Sequence, residues 1–119
     1  MSSYSRDKGN RAEREVVAAL RRMGYPAATT RAERGGTQGG ADIHCPGLPI
    51  VSFEVKDQSR DALPSWLDQA RSQAGFGVVP VVVHKRRGKA NAEEWFATLQ
   101  FADLVELAGR TPDIFGAVH

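Results

Sequence analysis

The chain has one cysteine in 119 residues, Cys45, so no internal disulfide can staple it, and a reducing compartment suits it. It also lacks any apolar run near the roughly 20 residues that a bilayer-spanning helix needs. The longest, Val78 to Val83, is interrupted by Pro80. The opening MSSYSRDKGNRAERE holds no apolar segment that would serve as a secretion signal. Neither sign of charge dominates, since 16 Lys and Arg stand against 14 Asp and Glu for a net +2. Repeats and low-complexity stretches are missing too. What is there is ordinary for a globular protein, with 41% apolar and 25% charged residues. The length suits one hydrophobic core, so a single cytoplasmic domain over 1–119 is expected, with 1–7 as a flexible N-terminal arm and no membrane partner.

Charge says more by position than in total. Residues 1–34 carry Arg6, Lys8, Arg11, Arg14, Arg21, Arg22, Arg31 and Arg34 against Asp7, Glu13, Glu15 and Glu33. A second basic cluster, Lys85, Arg86, Arg87 and Lys89, interrupts a chain whose last thirty residues lean acidic. Two such patches suit a polyanion, nucleic acid first; a solvated face and a charged hairpin tip explain them equally well.

The order of elements points to a small α/β domain with a mixed sheet. Residues 8–23 read as a helix, because Ala12, Val16, Ala19, Leu20 and Met23 recur at spacings of three and four, with Gly24 as its stop. A short strand is expected within 26–31, a glycine-rich loop over 33–40, a strand at 41–45 and the clearest strand at 50–56. Pro64 opens a helix over 65–74, and the valine-rich 78–84 reads as a buried central strand. A short strand around 95–99 and a helix from Phe101 to Ala108 follow, the helix with Phe101, Leu104, Val105 and Ala108 on one side.

Alternation along 51–56 turns Val51, Phe53 and Val55 towards the core and Ser52, Glu54 and Lys56 to the other face. If the preceding strand pairs through the Pro46–Pro49 turn, Asp42 lies beside Glu54. Two adjacent carboxylates repel, which is costly unless a cation binds between them. A hard dication, Mg²⁺ or else Mn²⁺, suits them, and Lys56 stands ready to orient or deprotonate an attacking water. Hydrolysis of a phosphodiester needs those parts. An E-x-K on a strand is nevertheless common, and cross-strand charge pairing explains it more often than catalysis does.

The set Gly9-x-x-x-Glu13-Arg14-Glu15, Ala41-Asp42-Ile43 and Phe53-Glu54-Val55-Lys56 resembles the PD-(D/E)XK nuclease superfamily over about residues 8–99. The opening KGNRAEREVVAALRRMGY is most similar to archaeal-type and phage Holliday junction resolvases. The resemblance implies a restriction-endonuclease-like αβββαβ core, a prokaryotic or phage setting, and a magnesium-dependent endonuclease acting on branched DNA as a homodimer. Asp42 and Glu54 would be metal ligands assisted by the Val55 carbonyl, and Lys56 the catalytic lysine. Glu13 would hold a second metal or a water on it, Arg14 would contact DNA phosphate, and Gln69 would stand at the site edge with Gln73 one turn later. The site arginine would be Arg31 or Arg34. Ala41 replaces the proline expected before the aspartate.

Plainer explanations exist for several of these residues. Glu13 and Glu15 among arginines make ordinary exposed helix pairs, and Gln69 an ordinary polar helix residue. His44 and Cys45 have no second pair at zinc-ligand spacing. The Gly35–Gly40 loop lacks the Gly-Lys-Ser/Thr ending of a phosphate-binding loop and precedes no helix, so no nucleotide cofactor is expected. Trp66, Trp95, Phe96 and Phe101 suit the core or subunit contacts. Two other functions stay open beside junction resolution: a nuclease of the same fold with nicking, restriction-like or flap activity, and a non-catalytic DNA-binding or assembly protein.

Overall fold

A computed structural model describes residues 3–34, 42–58 and 62–110. The order is α1 (Ser3–Arg22), β1 (Thr29–Thr30), β2 (Ile43–His44), β3 (Val51–Lys56), α2 (Leu63–Gln73), β4 (Val79–His84), β5 (Phe96–Thr98) and α3 (Phe101–Gly109), with 3-10 turns at Ala32–Arg34 and Ala92–Glu94. Five strands form one mixed sheet in the order β1-β2-β3-β4-β5. Among the described residues only β3 and β4 run parallel, and α2 makes the crossover between them. Among the described residues no helix is long and apolar enough to cross a membrane.

Most expected elements appear within a residue or two of their predicted ends, and α1 is the exception. It begins at Ser3, so residues 3–7, read above as an arm, carry helical backbone. Apolar periodicity starts only at Ala12, and extending a helix already anchored by packing costs little per residue. The stripe Ala12, Val16, Val17, Ala19 and Leu20 is buried against the sheet. Gly24, at φ +106°, ends the helix in the left-handed region that glycine favours.

The sheet is covered on both faces. Val55, Val79, Val81 and Val83 pack with α1, Ile43, Cys45 and Trp95, while Val82 packs with Trp66 and Ala70 of α2. Pro80 sits inside a buried strand without breaking the ladder. The Val79 N–H bonds the Ile50 carbonyl on the β3 side at 2.7 Å. Alternation then sends even-numbered amides towards β5, whose pairing starts only at Val82. The missing N–H of Pro80 falls beyond the end of β5.

Candidate functional site

Register creates the site. Ile43 pairs with Phe53 across the antiparallel β2–β3 ladder, which sets Asp42 opposite Glu54, on the same side of the sheet. Asp42 Oδ2 accepts a 2.9 Å hydrogen bond from the Val55 N–H, locking the side chain against β3. Glu54 is buried at 3% exposure and hydrogen-bonded to Asp42, a contact that requires a proton on one of the two carboxyls. Burial first, then the Asp42 charge and that hydrogen bond, raise the Glu54 carboxyl well above the ordinary carboxylate range. Glu13, reaching in from α1, is pushed up to about 7 by burial and then by the charge of Asp42, with Arg31 and Arg14 opposing.

Lys56 is two residues beyond Glu54, and its Nζ donates to Gln69 Oε1 at 3.1 Å. Gln69 on α2 thus meets Lys56 through an exposed side-chain hydrogen bond. Of the two candidate arginines, Arg31 approaches Asp42, with Nη2 at 3.6 Å from Oδ1, and its own N–H bonds the Asp42 carbonyl at 2.9 Å. The side chain of Arg34 lies outside the described residues, as do the loop 35–40 and Ala41. Arg14 is exposed near Glu13.

The basic cluster after β4 is largely occupied from within. Lys85 Nζ lies 4.0 Å from Glu15, 3.9 Å from Asp57 and 5.6 Å from the centre of the Trp95 ring. Arg86 donates to the Glu94 carbonyl at 2.7 Å and stacks over Phe96, and Lys89 pairs with Glu94 at 3.5 Å. Arg87 is exposed. Lys85, Arg86 and Lys89 thus each have an acidic, carbonyl or aromatic partner within the chain.

His84 gives no chemical signal in the sequence, yet the parallel ladder sets it beside Lys56. Its Nε2 lies 3.1 Å from the Gln58 carbonyl, and its ring meets Trp66 edge-on at 4.9 Å. Strand parity shows which face His84 takes once 78–84 is read as a strand, but the register of a crossover pair has no local signature.

Among the described residues, no group of three His, Cys, Asp or Glu gathers at ligand spacing. The donor set is instead the Asp42–Glu54 pair, hard oxygens set side by side across the β2–β3 ladder. Mg²⁺ is commonly held by one or two carboxylates while keeping several waters, so the pair fits such an ion. Comparison with family models, with curated proteins and with solved structures finds no match to the chain.

Proposed function

We propose that this chain is a divalent-metal-dependent DNA endonuclease of the PD-(D/E)XK kind, built on a restriction-endonuclease-like αβββαβ core and acting on branched DNA, a four-way junction first. The supporting observation is the Asp42–Glu54 hydrogen bond, flanked on one strand by Lys56 and capped from α2 by Gln69. A buried carboxyl pair is costly where structure alone is at stake. The α1-βββ-α2-β4 order and mixed sheet agree with the expected core.

In this reading Asp42, Glu54 and the Val55 carbonyl would hold Mg²⁺, or Mn²⁺, which would supply Lewis-acid chemistry at the phosphate when bound. The Val55 N–H keeps Asp42 in place. Gln69 holds Lys56 so that its ammonium stands ready for a phosphate oxygen or the attacking water. Glu13, with a carboxyl near 7, is placed to take up a proton close to neutral pH. Arg31, Arg14 and Arg87 offer charge to the DNA backbone, so recognition would rest on phosphates and shape. Two symmetric cuts in a junction require two sites, hence a homodimer.

The test incubates the protein and Mg²⁺ with matched four-way, Y-shaped and linear duplex DNA. Paired symmetric nicks on the four-way substrate alone are expected, lost in Asp42→Asn and Glu54→Gln with junction binding retained. Cutting of other substrates would move the assignment to a nuclease of the same fold, and no cutting of any would sink it.

A further inference from the structure

Two ladders align a row of side chains across the sheet, on its α2 face, at the end where Lys56 stands. His84 pairs with Lys56 in the parallel β3–β4 register, and Phe96 pairs with His84 in the antiparallel β4–β5 register. Directly paired residues share a face, so Lys56, His84 and Phe96 lie side by side, about 5 Å from strand to strand. The row ends on the edge strand β5, where Phe96 is 59% exposed instead of joining the core. Two contacts set this ring apart from a stray apolar side chain on the surface. Arg86 lays its guanidinium over Phe96 at 4.4 Å, while its Nη1 donates to the Glu94 carbonyl at 2.7 Å. His84 meets the buried Trp66 edge-on, with its Nε2 3.1 Å from the Gln58 carbonyl. The rings are therefore held in place before anything binds them.

We propose that Phe96, with Arg86 and His84, is a stacking platform for an unpaired nucleobase of the DNA strand whose phosphate lies at Lys56. The chemistry suits that occupant. An aromatic face accepts any base, and a guanidinium plane extends the stack while its other N–H groups turn to phosphate. Arg87, exposed next to Arg86, adds charge for the backbone, and the Glu94 carboxylate is already paired with Lys89 at 3.5 Å. From Lys56 to Phe96 is two strand spacings, about 10 Å, or about three nucleotide rises of a duplex strand. A base so near the phosphate reaches the ring only after leaving its own stack. The platform therefore selects DNA with unpaired nucleotides beside the cut, whatever their sequence. This deepens the nuclease reading and rests on it for the phosphate at Lys56.

Fluorescence anisotropy of a labelled single-stranded DNA of about 15 nucleotides, titrated with the full chain in EDTA at about 50 mM salt, tests it. Phe96→Ala should weaken binding roughly 5- to 150-fold, the loss of one stacked base, and Phe96→Trp should restore it. Phe96→Leu keeps apolar area without an aromatic face and should bind as weakly as Phe96→Ala. A probe of the same length made of abasic sites should bind wild type and Phe96→Ala equally, because only the backbone is left to contact. No binding of the single strand by the wild type would overturn the proposal. So would equal binding by wild type and Phe96→Ala, full binding by Phe96→Leu, or a Phe96 effect that persists on the abasic probe. Neither metal nor cleavage enters the measurement. A protein that cuts junctions but ignores Phe96 loses only the platform, and one that needs Phe96 to bind but cuts nothing loses only the nuclease reading.

Discussion

Withholding metal should make this protein less stable as the pH rises, and the carboxyl cluster sets the sign. Glu13 and Glu54 both hold their protons more tightly in the folded chain than in the unfolded one, where they ionise near 4.5. Between that value and the folded pKa the native state binds more protons, so stability is complete below 4.5 and falls as the pH climbs through about 7. For a group fully withdrawn from water, the Glu13 shift would be worth ~3.4 kcal/mol. Glu13 is only half-buried and partly screened, which reduces its share to ~1–2 kcal/mol, and Glu54 adds in the same direction. Urea unfolding in EDTA, followed by the buried Trp66 and Trp95, should therefore show stability dropping by ~1–3 kcal/mol between pH 5 and 8. Glu54→Gln should flatten that slope. Mg²⁺ at a hundred times its dissociation constant should restore ~2.7 kcal/mol to the wild type and nothing to the variant. A flat wild-type profile, or equal Mg²⁺ stabilisation of the two proteins, would refute the reasoning.

Other perturbations give equally definite expectations. Trp66→Ala removes the main side chain between α2 and Val82 and also the edge-on support of His84, so it should cost ~3–5 kcal/mol by urea titration. Gly47→Ala would place a Cβ 2.6 Å from Cδ1 of Tyr25, and displacing that ring should cost ~1–3 kcal/mol with the m-value unchanged. Glu93 is held at about 2 by the two hydrogen bonds from Arg22, so its support is present above 4.5 and lost as the pH falls through about 2. Carboxyl carbon NMR should find the Glu93 titration moved up towards its ordinary value in Arg22→Ala, with a backbone hydrogen bond still lowering it; an unmoved titration would remove Arg22 as the cause.

The meeting of Asp42 with Glu54 was legible because a short turn, Pro46 to Pro49, joins two strands whose alternation is visible, so register follows from counting. The Lys56–Gln69 contact was not legible, since the resemblance placed Gln69 only at the site edge and no local rule fixes which helix face meets the strand. Charge runs do not reveal ion-pair partners that lie far away in sequence. Lys85 belongs to a polyanion patch on paper, but Glu15 and Asp57, 70 and 28 positions earlier, surround it in the fold. Arg31 and Arg34 could not be separated because one precedes and the other lies in a glycine-rich loop whose geometry the sequence does not show. For α3 the periodicity identified the apolar side correctly but not its direction, which Arg71 decides from another helix.

The position of β3 between a hairpin neighbour and a crossover neighbour has a kinetic corollary. The β2–β3 ladder closes a loop of a few residues, whereas β3–β4 pairing must wait for the whole α2 connection to be laid down. Asp42 and Glu54 thus come together in the step with the lower entropic barrier, and Lys56 acquires Gln69 only in the later one. The carboxyl pair is accordingly assembled from local chain, while the lysine contact depends on the docking of a helix that follows it in sequence.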